Sequence, residues 1–162
     1  MLKALAGLSG ALLIAYCAGA EAQQLPKSGS FNIHTGWKDT GVALEVADKR
    51  MQGQGMVTGV TFNDRGSGPL HTGPANCSYT FMVVEGAGKS KGFCTFSDAD
   101  GDRIFTDFTG INKPDGQASG TNEIVGGTGK YAGIQGGGPW KCAYVGRNGE
   151  SHCAQRFDYR LP

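Results

Sequence analysis

The sequence predicts an all-β protein, a single antiparallel β-barrel of about eight strands that disulfides staple together. Three observations lead to this prediction. The chain has 28 glycines among 162 residues, and they interrupt every stretch with a helical apolar pattern. Short runs in which apolar and polar residues alternate recur along the chain, with turn signals between them. Four cysteines beyond the N-terminal segment lie within such runs.

The N-terminal segment has the pattern of a secretory signal peptide. Lys3 supplies a positive charge, an apolar run follows, and small residues before and at Ala22 predict cleavage after that residue. The apolar run is shorter than the ~20 residues that span a bilayer. Cys17 follows Tyr16, a bulky residue that disfavours a lipid-modified cysteine. We therefore expect an exported protein, periplasmic or secreted.

Three segments follow from this assignment. Residues 1–22 are the signal peptide, residues 23–30 a flexible polar leader, and residues 31–162 the barrel domain. The candidate strands of that domain are residues 31–35, 42–47, 55–63, 76–84, 92–97, 103–109, 121–125, 140–145 and 151–161. Residues 43–51 are the best helical candidate, but the run is short and rich in valine.

The four remaining cysteines are Cys77, Cys94, Cys142 and Cys153. An even number in an exported chain indicates disulfides, whereas a zinc site normally carries C-x-x-C pairs, which are lacking here. Three pairings are open to four cysteines. We favour Cys77 with Cys94 and Cys142 with Cys153, because each pair lies on two strands joined by a turn.

The charge pattern excludes some classes of partner. The formal net charge is +1, and the basic residues are scattered rather than gathered into a stripe. We expect no nucleic-acid partner and no anionic membrane surface. After signal cleavage no segment is long and apolar enough to span a membrane. A small apolar molecule is the partner that we expect.

The glycine-rich segment 124–138 reads IVGGTGKYAGIQGGG. It fails as a phosphate-binding loop because Tyr131, rather than Ser or Thr, follows Lys130. It fails as a dinucleotide fingerprint because three further glycines at 136–138 prevent the helix that this motif requires. The physical interpretation is a tight turn between strands, with glycines where the backbone needs positive φ or close approach.

The same segment resembles a stretch of the allene oxide cyclase and dirigent protein superfamily, in which a similar GGTGKY sequence lies late in an eight-stranded barrel. The resemblance extends over most of residues 30–162, and its specific part is this one motif. It implies a barrel that holds an apolar substrate, no metal or organic cofactor, and a homotrimer. No catalytic residue of that superfamily matches a position of this chain.

Aromatic residues share the predicted cysteine face. Because that face packs the core or lines a cavity, these aromatic residues are the candidate ligand-binding residues. They are Tyr79, Phe96, Trp140, Tyr144 and Tyr159. The alternative for all five is plain core packing, which would leave a structural or interaction protein with a filled barrel. An open cavity would favour a binding protein or a cofactor-independent cyclase or isomerase.

Ionisable residues give weaker candidates. His71, in a loop at one end of the barrel, is the best candidate for a general acid or base, and Glu45 and Asp107 are the carboxylates to inspect at a cavity. No organic cofactor is expected. Asp98, Asp100 and Asp102 have the alternate spacing of a Ca²⁺ loop, but the glycine and the closing glutamate of an EF-hand are missing. A hairpin turn is the favoured interpretation of these aspartates.

Overall fold

The computed structural model describes residues 25–162 and shows an all-β fold. The predicted signal peptide, residues 1–22, lies outside these residues. The strands are β1 (Ser28–Asp39), β2 (Val42–Ala47), β3 (Arg50–Asn63), β4 (Gly73–Val84), β5 (Ala87–Ser97), β6 (Arg103–Asn112), β7 (Gln117–Gly127), β8 (Gln135–Tyr144) and β9 (Glu150–Arg160). One 3-10 turn, Gly129–Tyr131, precedes β8. In the described part of the chain no helix has the length and apolarity needed to cross a membrane.

Eight of the strands close into a barrel. From β3 to β9 each strand pairs antiparallel with the next, and β1 pairs with both β9 and β3. The β1–β3 pairing ends at Asp39↔Val57, and β2 then takes up the same edge of β3 from Val42↔Gln54 onward. The predicted antiparallel barrel is therefore confirmed, with β2 as an additional strand that extends β3 beyond the closed wall.

Several strands are longer than the sequence predicts. β1 begins at Ser28, within the predicted leader, where it pairs with Arg160 of β9. β8 begins at Gln135 and runs through the three glycines that we assigned to a turn. Gly136 has a φ of +134°, and a Cβ there would collide with the carbonyl oxygen of Asp158 on the neighbouring strand. Glycine therefore lets β8 approach β9 closely, while the turn itself is shorter and lies at residues 128–134.

Two cross-strand disulfides staple the barrel. Cys77 pairs directly with Cys94 across β4 and β5, and Cys142 pairs with Cys153 across β8 and β9. Both pairings that we favoured are confirmed. Cross-strand partners point to the same side of a sheet. The cysteines of both disulfides lie in or against the buried core and line the cavity, so both disulfides face the barrel interior, as predicted.

The two ends of the barrel differ. At one end the loop between β3 and β4 and the turn before β8 insert buried apolar side chains, among them Leu70, Tyr131 and Ile134. These residues join a cluster with Phe96 and Phe157, whose rings lie 5.6 Å apart. This closed end carries most of the apolar core. The other end, where β2 and the β8–β9 turn lie, leads into a cavity.

Candidate ligand-binding cavity

A cavity of about 280 Å³ occupies the barrel interior on the open side of the apolar core. An eight-stranded barrel is just wide enough to be filled by side chains or to hold one small ligand, so this opening is not imposed by the fold. Both disulfides lie in its wall. The aromatic residues of the wall are Trp37, Tyr79, Phe81, Phe108, Trp140 and Tyr144.

Glycines on neighbouring strands leave room for three of these aromatic side chains against the barrel wall. A Cβ at Gly55 would stand 2.7 Å from the hydroxyl oxygen of Tyr79, and one at Gly92 would stand 2.9 Å from the ring of Phe108. A Cβ at Gly120 would likewise stand 2.7 Å from Cζ2 of Trp140. All three glycines lie on the inner face of the strand next to the aromatic residue. Atoms of each aromatic side chain therefore occupy space that a Cβ at the neighbouring glycine would need.

Uncharged polar groups form the deep end of the cavity. The side-chain amide of Asn122 donates a hydrogen bond to Oε1 of Gln155 at 3.0 Å, and Nε2 of Gln155 donates to Oγ1 of Thr35, also at 3.0 Å. Asn122, Gln155 and Thr35 are more than nine-tenths buried. Each amide uses one N–H in this chain of bonds. A second N–H on each, and Oδ1 of Asn122, keep capacity for a further partner.

A carboxylate marks the rim of the cavity. The hydroxyl of Tyr79 donates a hydrogen bond to Asp39, lying 2.8 and 2.7 Å from its two carboxylate oxygens. Burial and this hydrogen bond raise the pKa of Tyr79 well above its usual range, so the phenol stays a donor at neutral pH. The backbone N–H of Gly41 donates to the same carboxylate at 2.7 Å. Asp39 is thus held rigidly at the entrance, where Lys113 also contributes to the lining.

The five predicted ligand-binding aromatics divide between the two halves of the barrel. Tyr79, Trp140 and Tyr144 line the cavity. Phe96 is fully buried in the apolar cluster of the closed end, and Tyr159 belongs to the same cluster. The cysteine face therefore serves as core in one half of the barrel and as cavity wall in the other. Ligand binding by the three lining residues stays a prediction.

The predicted ionisable candidates lie away from the cavity. His71 belongs to the loop of the closed end, where its Nδ1 accepts a hydrogen bond from the backbone N–H of Asn63 at 3.2 Å. Glu45 and Asp107 are exposed on β2 and β6. The structure does not bring any of these three side chains to the cavity wall.

The acidic cluster is engaged by the glycine-rich segment. Nζ of Lys130 lies 2.8 Å from Asp98 and 2.7 Å from Asp100, and its backbone N–H donates to Asp102 at 3.0 Å. The hydroxyl of buried Tyr131 donates to Asp98 at 2.5 Å. Within residues 25–162 no group of three or more His, Cys, Asp or Glu residues is arranged to hold a metal ion. These aspartates instead fasten the β5–β6 turn to the turn before β8.

Sequence reasoning missed Asp39, Asn122 and Gln155. The signal was available in the strand alternation. Gln155 lies two residues from Cys153 and therefore shares its inward face, and Asp39 continues the inward series of β1 two residues beyond Trp37. The predicted first strand ended at residue 35, which placed Asp39 outside it. Asn122 likewise shares the face of Ile124, which is buried.

Comparisons with known proteins support the fold. No family model and no curated protein matches this sequence. A solved structure does match, that of a protein of unknown function from the DUF3224 family of Shewanella oneidensis. The two share 17% sequence identity with a TM-score of 0.55, and the match covers 83% of this chain and 98% of that chain. At this identity the similarity shows a shared barrel fold and carries no function. The resemblance to the allene oxide cyclase superfamily stays a prediction.

Proposed function

We propose that this protein is an exported β-barrel that binds a small apolar ligand in its lumen. One observation carries the proposal: an aromatic-lined cavity of about 280 Å³ in the barrel interior, which the side chains do not fill. A barrel selected only for stability gains from a filled interior, because close packing maximises dispersion contacts. The maintained opening is therefore best explained by an occupant.

The energetics of the wall suit a ligand of modest size. An aromatic molecule that buries about 200 Å² of apolar surface gains on the order of 5 kcal/mol from desolvation. The rings of Trp37, Phe108 and Trp140 offer the faces and edges that aromatic pairs prefer. The two disulfides join neighbouring strands of the wall, and such preorganisation lowers the entropic cost of binding.

Export is part of this proposal. The two disulfides are compatible with an oxidising compartment. The signal-peptide pattern of residues 1–22 gives the route, and it predicts a mature chain that begins at Gln23 in the periplasm or outside the cell. N-terminal sequencing of the protein from a cell-envelope or medium fraction tests this part directly.

Intrinsic fluorescence gives a direct binding assay. The chain has two tryptophans, Trp37 and Trp140, and both line the cavity. Titration with the two-ring fluorophore 1-naphthylamine, which is uncharged at neutral pH, should give saturable energy transfer from tryptophan, with one site per chain. Ala118→Phe places a ring in the cavity and should abolish the transfer. Ala143→Phe, on the outer face of β8, is the matched control and should bind as the wild type does.

The opposite outcomes are equally clear. No saturable transfer in the wild-type protein, or equal transfer in both phenylalanine variants, would contradict lumen binding. The protein would then be assigned the alternative role of a structural or interaction protein. Circular dichroism of each variant confirms that the barrel is folded before its binding is compared.

The Asp39–Tyr79 pair supports a second candidate function, cofactor-independent isomerisation. Asp39 is the carboxylate that lines the cavity, and a carboxylate held at an apolar entrance can take a proton from a carbon acid and return one. The test is deuterium exchange at the carbon next to the carbonyl of 2-tetralone in D₂O, followed by NMR. Isomerase chemistry predicts faster exchange with wild-type protein than with Asp39→Asn. Equal exchange rates with the two proteins would contradict isomerase chemistry at Asp39 and leave ligand binding as the proposed function.

A further inference from the structure

We infer that the ligand is an uncharged, flat molecule of about two fused rings that carries one carbonyl or hydroxyl group, which Asn122 and Gln155 bind at the deep end of the cavity. This inference rests on the proposed function and defines the chemical class of its ligand. It depends on the size of the cavity, on the placement of charge along its depth, and on the remaining hydrogen-bonding capacity of Asn122 and Gln155. These two residues form the floor of the cavity at its deep end.

The volume of the cavity limits the size of the ligand. A cavity of roughly 150 Å³ holds a single benzene ring. The cavity of this barrel is about 280 Å³, nearly twice that volume. A molecule on the order of ten to twelve non-hydrogen atoms, such as two fused six-membered rings, fits that space by proportion. The flat aromatic rings of the wall favour a flat occupant over a branched one.

The placement of charged residues along the cavity indicates the polarity of the ligand. The charged residues of the lining, Asp39 and Lys113, both lie at the open end, one at the last position of β1 and the other just beyond β6. The deep end presents the side-chain amides of Asn122 and Gln155. A ligand carboxylate or ammonium inserted there would be desolvated without a charged partner, which is costly. The ligand group that lies at the deep end is therefore uncharged.

The floor of the cavity keeps hydrogen-bond donors and one acceptor that the bonds within it do not use. Asn122 is 5% exposed and Gln155 is 7% exposed, yet the bond between them uses one N–H of Asn122 and the carbonyl of Gln155. Asn122 and Gln155 both line the cavity, so a ligand there can pair with their remaining donors and acceptor. A ligand carbonyl accepts from the spare N–H groups, and a ligand hydroxyl can also donate to Oδ1 of Asn122.

A series of matched probes tests the inference. Calorimetric titration compares 1-tetralone, its hydrocarbon counterpart tetralin, and the anion tetralin-1-carboxylate. We expect 1-tetralone to bind about fivefold to tenfold more tightly than tetralin. The anion should bind no more tightly than tetralin. Asn122→Leu, which keeps the side-chain size, should reduce the ratio between 1-tetralone and tetralin to about one. Asn32→Leu on the outer face of β1 is the control that should keep the wild-type ratio.

Infrared spectroscopy of the wild-type complex avoids any dependence on a variant that folds poorly. The carbonyl stretch of bound 1-tetralone should move to lower wavenumber than in a hydrocarbon solvent, because the floor donates hydrogen bonds to it. An unshifted carbonyl band, equal binding of tetralin and 1-tetralone, or tighter binding of the anion would overturn the inference while leaving lumen binding intact. Failure of all three probes to bind would contradict the proposed function as well.

Discussion

The indole of Trp140 lies so close to Gly120 that a Cβ on this glycine would stand 2.7 Å from Cζ2 of the ring. Gly110, on the next strand, also lies beneath the same ring, and a Cβ there would collide with it. Two adjacent strands thus leave space at the wall for the indole of Trp140, one of the two tryptophans of the cavity lining. We expect the openness of the barrel to depend on this pairing of glycine with an aromatic residue.

Substitution of Gly110 by alanine should disturb this recess. The added methyl group would push the Trp140 ring toward the lumen, and we expect a loss of about 1–3 kcal/mol in the free energy of unfolding from overpacking. Gly36→Ala is the control, because a Cβ there has open space around it. Urea denaturation measures both. A loss at Gly36 as large as that at Gly110 would show that strand glycines matter for reasons unrelated to the rings.

Tyr131→Phe should remove a buried hydrogen bond at the closed end. The Tyr131 hydroxyl donates to Asp98, which is 7% exposed, so the variant leaves a buried carboxylate with one partner fewer. We expect destabilisation of about 1.5–3 kcal/mol, the range for a hydrogen bond to a charged group. Tyr144→Phe, at the exposed rim, should change stability little. Thermal unfolding of the two variants distinguishes them, and equal stabilities would contradict the assigned role of Tyr131.

Lys130 should contribute more than an ordinary surface lysine. It bridges Asp98 and Asp100 and is only 20% exposed. Lys130→Met leaves buried Asp98 without its cation, and we expect a loss of about 3 kcal/mol. The exposed pair Lys49–Glu85 supplies the control, since Lys49→Met should cost less than about 1 kcal/mol. Similar losses in the two variants, measured by chemical denaturation, would show that the bridge is not specific.

The sequence predicted the barrel well because strand alternation, turn residues and cysteine spacing are local signals. The pairing of Cys142 with Cys153 followed from one hairpin, and the structure confirms it. The floor of the cavity depends instead on strands far apart in sequence: Asn122 meets Gln155 across 33 residues, and Gln155 meets Thr35 across 120. Alternation assigned such residues to a face, but the depth along the barrel at which each lies depends on strand register.

The same limit applies to Phe96 and Trp140. Both have the inward, cysteine-face pattern, yet Phe96 packs into the closed end and Trp140 lines the opening. No local signal separates the two roles. The distinction arises from the loop that inserts Leu70 at one end and from the glycines that lie beneath the ring at the other.

Acid should weaken the closed end through Asp100. The hydrogen bond from Lys130 holds the pKa of this carboxyl below its usual range. A carboxyl with a lowered folded pKa stabilises the protein above its unfolded pKa of about 3.9, and that contribution is lost as the pH falls through the folded value. We therefore expect Asp100→Asn to lower stability at neutral pH and to narrow its gap from the wild type below about pH 4. The contribution is small because the carboxyl is half exposed. Parallel curves of urea midpoint against pH would contradict this.

A crystal structure of the mature protein purified from its native host is the strongest single test of lumen binding. We expect ordered ligand density within the lumen, against the rings of Trp37 and Trp140 and within hydrogen-bond distance of Asn122. A lumen filled by Tyr79, Phe81 and Trp140 turned inward, with no cavity between them, would contradict it and leave a barrel whose interior serves only its own stability.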